Sequence, residues 1–273
     1  MPSRVAPVFA AVATLAWGAT ITPARASSPG RPALGPPSGW VVGVGGGAIA
    51  SPDYRGSSTY RLRPIPVVSV RYGDDFALSG LEASYTVMRA GAWRAGPHAR
   101  FRFGQDEKDN RVALRGLGDV GPAVELGGFV SYGPGPLKLK ASLTHDVASG
   151  HGGQVATLGA AYTAQVRRTP AGPVLLSIGP SLTWASGRFN RAYYGVDGRQ
   201  SARSGLAPYR PRSGLESAGL AMNLVAPMSA RVTFAAIASY DRLTGDAADS
   251  PRVRGLGSRD QAMVGAFATY RLF

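Results

Sequence analysis

The chain is 273 residues long, contains no cysteine and carries a formal charge of +14, which excludes a disulfide framework, thiolate chemistry and a cysteine-based zinc site. Its 37 glycines and 21 prolines, set against only 17% charged residues, do not match an average cytosolic enzyme, and the excess of positive charge calls for an anionic partner.

Residues 1–26 read as a cleaved export signal. Arg4 supplies a thin basic region, residues 5–21 an apolar stretch, and Ala24-Arg25-Ala26 a small-x-small cleavage site. Export removes the chain from nucleic acid, so the expected anionic surroundings are lipopolysaccharide phosphates, cell-wall polymers or acidic periplasmic proteins. No other stretch reaches the roughly 20 apolar residues of a spanning helix, so a membrane location would require a β-barrel. Residues 27–38, rich in Pro, Gly and Ser, read as a flexible periplasmic tether, and residues 39–273 as a single domain.

Along that domain the pattern is almost entirely β. Trp40, Val42, Val44, Ala48 and Ala50 mark a first strand whose glycines Gly43, Gly45, Gly46 and Gly47 would let a neighbour approach closely. No helix pattern follows these glycines, so they do not read as a dinucleotide loop. After a loop at 51–59, a second strand spans 63–72, with Pro64 and Pro66 expected at its beginning. Residues 76–87 change phase at Gly80, which predicts either a bulge or a turn between two strands. In the next strand Trp93, Ala95, Ala99, Phe101 and Phe103 oppose Arg94, His98, Arg100 and Arg102; in another, Leu137, Leu139, Ala141 and Leu143 oppose Lys138, Lys140, Ser142 and Thr144. Further strands are expected at 123–132, 155–166, 174–184, 215–226 and 231–243. The last, 260–273, alternates Ala262, Val264, Ala266, Ala268, Tyr270 and Leu272 against Gln261, Gly265, Thr269 and Arg271, in the manner of a closing barrel strand.

Short turns at 133–136, 169–173 and 226–229 alternate with long loops at 105–120, 186–214 and 245–258. Outer-membrane barrels place short turns in the periplasm and long loops outside. The expectation is therefore an antiparallel transmembrane barrel of twelve strands, with ten as the alternative. Its lumen would be lined by Arg94, Arg100, Arg102, Lys138 and Lys140 against Glu82, Glu125 and Asp146.

The loops carry a family resemblance. Ser51-Pro52-Asp53-Tyr54 with Gly56-Ser57 and Pro64-Ile65-Pro66; Leu114-Arg115-Gly116-Leu117-Gly118-Asp119; His151-Gly152-Gly153; Tyr193-Tyr194-Gly195-Val196 with Ser204-Gly205-Leu206 and Tyr209; and the run from Arg242-Leu243-Thr244-Gly245 through Asp246-Ala247-Ala248-Asp249-Ser250-Pro251 follow one another in order. Together they resemble the MipA/OmpV family of outer-membrane proteins. The resemblance implies an outer-membrane barrel and, from the family's best-known member, a scaffold bridging a lytic transglycosylase and a murein synthase; it implies no catalytic set.

The residues themselves support little chemistry. His145-Asp146, Ser149 and His151 are close in sequence, but triads are defined by geometry, and a histidine next to Gly150 and Gly152 reads as a turn residue. His98 lacks further ligands for a metal, and Asp53, Asp246 and Asp249 lack the spacing of a calcium loop. No enzyme activity, cofactor or metal is expected. The basic loop with Arg188, Arg191, Arg199, Arg203, Arg210 and Arg212, interleaved with Phe189, Tyr193, Tyr194 and Tyr209, has two readings: phosphate recognition at the outer leaflet, or folding into the barrel mouth to pair with acids there. The expected function is a non-enzymatic scaffold; the alternative is a narrow anion-preferring pore or uptake barrel, and a lipid-modifying enzyme ranks last.

Overall fold

The computed structural model describes residues 39–273; the leader and tether lie outside the described residues. Alternation produces long antiparallel strands: β1 (Trp40–Pro52), β2 (Tyr60–Tyr72), β3 (Phe76–Ser79), β4 (Glu82–Tyr85), β5 (Met88–Ala90), β6 (Trp93–Arg102), β7 (Ala123–Tyr132), β8 (Leu137–Asp146), β9 (Gln154–Thr169), β10 (Gly172–Ala185), β11 (Gly214–Pro227), β12 (Val232–Leu243) and β13 (Asp260–Arg271). Apart from β4 and β5, which do not pair with each other, each pairs with its neighbour in sequence, and β13 returns to β1 through a register running from Gly43 opposite Arg271 to Ala50 opposite Val264. β4 and β5 both pair with β6 and are two halves of one stave. The result is a closed barrel of twelve staves, and closure leaves no terminal edge to the sheet.

The phase change at 76–87 is resolved by a two-residue turn. Ser79 lies opposite Glu82, and Gly80 takes φ +58°, which a residue without Cβ adopts freely. The β3–β4 hairpin is only four residues deep on each side, far shorter than the thirteen-residue β2 beside it.

Two expectations require correction. β2 begins at Tyr60, so Pro64 and Pro66 lie inside the strand rather than at its beginning. The long loops also hold short helices: α1 (Gly187–Tyr194), α2 (Gly198–Ser204), α3 (Gly245–Ala248) and α4 (Pro251–Leu256). They span eight residues or fewer, too short to leave a readable 3.6-residue period.

Polarity runs opposite to that of a soluble sheet. Leu158 and Val264 on the outer surface are 54% and 55% exposed, whereas Glu125 and Arg102 on the inner surface are 0% and 5% exposed. Aromatic pairs ring the end that bears the short turns: Trp40 stacks on Tyr72 at 4.9 Å and Trp93 on Tyr132 at 4.7 Å. At the other end the loops build the only extensive apolar clusters among the described residues. One packs Phe189, Tyr193 and Tyr194 of α1 against Val155, Leu243, Ala247 and Val253; the other joins Tyr54, Ala113, Leu114, Leu117 and Val196.

Candidate functional site: an ion-paired interior beneath a loop plug

The inner face of β6 presents His98, Arg100 and Arg102 in sequence, and the register brings each to a neighbour on the adjoining strands. Arg100 lies opposite Glu82 on one side and Glu125 on the other. Its guanidinium reaches Glu82 at 2.7 Å, and His98 Nε2 lies 3.4 Å from the second oxygen of that carboxylate. Arg102 Nε donates to Glu125 at 2.7 Å. Glu125 also accepts from Thr144 Oγ1 at 2.9 Å and from His151 Nε2 at 3.0 Å. Because Gly153 N donates to His151 Nδ1 at 3.0 Å, the ring proton resides on Nε2 and points at Glu125. Buried charges need such pairing, since an isolated one is far costlier to desolvate.

Of the interior charges expected from sequence, Arg100, Arg102, Glu82, Glu125 and Asp146 are buried. The structure joins the first four into two neighbouring ion pairs, Arg100 with Glu82 between β6 and β4 and Arg102 with Glu125 between β6 and β7. Lys140 lies over the Phe129 ring at 5.7 Å; Lys138 and Arg94 are half-buried nearer the short-turn end. Asp146 points elsewhere: its carboxylate accepts from the backbone N–H groups of Ala148, His151 and Gly152 at 2.9, 2.7 and 2.8 Å and folds the loop after β8. With His151 directed to Glu125 and Asp146 occupied by backbone amides, these residues are loop architecture in place of a nucleophile's relay.

A second buried cluster was not legible in the sequence. Glu216, fully buried, accepts from Arg55 Nη2 at 2.6 Å, from Ser217 Oγ at 3.1 Å and from the Tyr194 hydroxyl. A bulge explains its position: Thr183 pairs with Ser217 and Trp184 with Leu215, so Glu216 is the extra residue and turns inward beside Ser217. Burial pulls the Arg55 guanidinium down, but the adjoining Glu216 carboxylate outweighs it and holds Arg55 well above the ordinary arginine range. Burial, reinforced by the same carboxylate, raises the Tyr194 hydroxyl far above the tyrosine range. Tyr194 therefore stays a neutral donor.

This cluster seats α1 in the barrel mouth. Arg55 and Arg102 approach the Phe189 ring at 5.3 and 5.4 Å, and His151 meets it edge-on at 4.8 Å. The aromatics of the basic loop, rather than its arginines, enter the barrel. Arg188, Arg191, Arg199, Arg203, Arg210 and Arg212 all remain exposed; Arg212 reaches Asp246 at 3.6 Å and Arg203 donates to the Gly116 carbonyl at 3.1 Å. Below the plug is a cavity of about 160 Å³ lined by Glu82, Arg100, Lys140, Thr183, Glu216 and Asp241 among others, a polar chamber suited to ordered water.

The residues described above fall within the span 44–272, over which the chain matches the family model described as "MltA-interacting protein MipA". The MltA-interacting proteins of Escherichia coli (strain K12) and Shigella flexneri are each 26% identical to it over 239 residues, covering 84% of this chain and 87% of theirs. Among solved structures, a NanC porin is 12% identical with a TM-score of 0.44, covering 85% of this chain and 100% of that one. OprD from Pseudomonas aeruginosa is 11% identical with a TM-score of 0.34, covering 84% of this chain and 65% of that one. A match spanning most of the chain, with the barrel staves and the plugging loops inside it, places this protein in the MipA family.

Proposed function

We infer that this protein is a non-enzymatic barrel of the bacterial outer membrane that serves as a docking scaffold for cell-wall enzymes, in particular a membrane-bound lytic transglycosylase and, through it, a murein synthase. The observation that carries this reading is family membership over 44–272 together with relatives named for interaction with MltA. Inverted polarity supports the membrane location, because a lipid-facing apolar surface around a charged interior is the arrangement that hydrocarbon demands. With the short turns in the periplasm, Arg167 and Arg168 at the end of β9 offer a basic docking edge, and the exposed loop arginines face lipopolysaccharide phosphate. A leader cleaved after Ala26 would deliver the chain there.

The pore reading fits less well. Arg100 and Arg102 are neutralised by Glu82 and Glu125, and α1 fills the mouth. The reading is tested by envelope fractionation and cross-linked co-purification. It expects heat-modifiable outer-membrane protein carrying a lytic transglycosylase. Recovery in the soluble periplasmic fraction would overturn it.

A further inference from the structure

The barrel is closed by sequence order, yet its wall is incomplete on one side. β2 is paired with β1 along its whole length, from Trp40 opposite Tyr72 to Pro52 opposite Tyr60. On its other side it meets β3 only from Ser69 to Tyr72. The last contact upward is Gly80 N–H donating to the Val68 carbonyl at 3.2 Å. Residues two apart in a strand present their backbone to the same side, so the carbonyls of Pro66, Pro64 and Leu62 face the same gap as that of Val68. Among the described residues they receive no backbone hydrogen bond there. The nitrogens of Pro64 and Pro66 point the same way and have no hydrogen to offer.

The gap is framed rather than frayed. Its floor is the Gly80–Leu81 turn, and its far side is β6, where Phe101 N–H donates to the Leu81 carbonyl at 2.8 Å and Phe101 and Phe103 meet edge to face at 5.0 Å. Its lintel is the loop after β6, tied to the β1–β2 tip by Asn110 Nδ2 to Thr59 Oγ1 at 3.0 Å and by Arg61 with Asp109 at 3.5 Å. Three strand spacings separate β2 from β6 in an intact wall, roughly 14 Å.

Behind the gap the interior changes character. Ile65 and Val67 face inward on β2, opposite Gly47 and Gly45 of β1. Gly47 in turn lies opposite Phe267, whose ring occupies the space that a Cβ at Gly47 would enter, 2.6 Å away. The glycines leave a furrow with Ile65 and Val67 on one bank and Phe267 on the other. Along the same inward face of β2, Arg63, held by Ser51 Oγ and the Asp53 carbonyl, caps it toward the loops and Arg71 lies toward the short turns, while Glu82, Arg100 and Lys140 lie across the lumen on β4, β6 and β8. The outer rim is apolar as well: Leu62 is 70% and Val68 44% exposed.

We propose that this break in the wall is a lateral port through which an acyl chain of a membrane lipid enters the furrow formed by Gly45, Gly47, Ile65, Val67 and Phe267. The proposal rests on the outer-membrane reading above. A partner strand is the wrong occupant, because the two prolines withhold the donors that such pairing requires. Hydrocarbon already surrounds the rim, and an apolar furrow behind it is the surface that an acyl chain covers favourably.

The chain has no cysteine, so single cysteines can carry a bimane label in nanodiscs made with acyl-brominated phosphatidylglycerol and phosphatidylcholine. Three sites decide the question: Val264→Cys on the outer wall, Ile65→Cys in the furrow, and Ile237→Cys, inward on β12 behind continuous wall. The port predicts quenching at Val264→Cys and Ile65→Cys to a similar extent and none at Ile237→Cys. Quenching at Val264→Cys alone overturns the port and leaves the barrel in its membrane; no quenching at Val264→Cys overturns the membrane reading itself. A second variant lengthens the β3–β4 hairpin by two residues on each side of Gly80–Leu81 and carries Pro64→Thr and Pro66→Thr to restore donors. Loss of the Ile65→Cys quenching in that background supports entry through the gap, and persistence overturns it.

Discussion

Glu125→Gln removes the charge that three buried groups share without changing the side chain's shape. The amide keeps one acceptor oxygen for His151 and turns its NH2 toward Thr144, whose hydroxyl can accept from it, but Arg102, 5% exposed and paired with Glu125 at 2.7 Å, loses its counter-charge. Breaking one half of a buried pair costs about 3–5 kcal/mol, a shift of roughly a hundred- to several-thousand-fold in the unfolding equilibrium. The assay is urea unfolding of the detergent-solubilised barrel, read by the heat-modifiable gel shift and tryptophan emission. A matched control is Arg254→Ala, which breaks an exposed pair with Asp249 at 2.7 Å and should change stability by no more than about 1 kcal/mol. Replacing both partners, Glu125→Leu with Arg102→Met, should recover most of the loss, because no unpaired charge remains. If Glu125→Gln behaves like the exposed control, the interior is more hydrated than the burial of these groups implies, and the ion-pair argument fails.

Arg252 provides the opposite case. It is 2% exposed, donates to the Tyr193 carbonyl and lies over the Tyr54 ring at 5.4 Å, but its Nε and Nη2 have no hydrogen-bond partner among the described residues; burial pulls it down to about 10. Since its folded value lies below the unfolded one, the charged form weakens the fold at neutral pH. That penalty is carried in full below pH 10 and is relieved as pH rises through it. Arg252→Met should therefore be neutral or stabilising at pH 7 and gain less at pH 11, as measured in the same urea titration. Excising residues 188–211 with a short glycine linker should convert a barrel silent in planar bilayers into one with steady conductance; silence after excision would mean that the loop is not the plug. At Gly45 a Cβ would lie 2.0 Å from the Ala268 carbonyl oxygen, so Gly45→Val should disturb β1–β13 closure and abolish heat-modifiable mobility, whereas Gly39→Val, with open space around it, should not.

What the sequence displayed was the wall. The alternation of Trp93, Ala95 and Phe101 against Arg94, His98, Arg100 and Arg102 survives in the structure because one period governs both the local backbone and the two sides of the barrel. The phase change at Gly80 was visible too, but only the structure resolves it into a turn. The interior partners were harder to see. Arg55 and Glu216 are 161 positions apart, and the bulge before Ser217 places Glu216 out of phase with the rest of β11, so a strict period of two would turn it outward. Its one signal was an acid in a strand otherwise free of charge. Folding of the basic loop into the mouth is one of the two readings its sequence offers, but the helix that does so is hidden because α1 lasts eight residues, and the arginines that dominate the composition of its loop are not the groups that pack. Pro64 and Pro66 read as a strand beginning because their permissive site, a wall position with no neighbour, depends on the length of a hairpin elsewhere.

The docking claim is tested most directly by measuring binding between the purified barrel in nanodiscs and a purified lytic transglycosylase from the same envelope, by biolayer interferometry across a salt series. The account predicts saturable binding that weakens as salt rises, since exposed charges are screened within about 8–10 Å. Binding should be lost when Arg167→Glu and Arg168→Glu reverse the basic edge on the short-turn side, with barrel stability unchanged. Absence of binding at low salt by the folded wild-type barrel would contradict it.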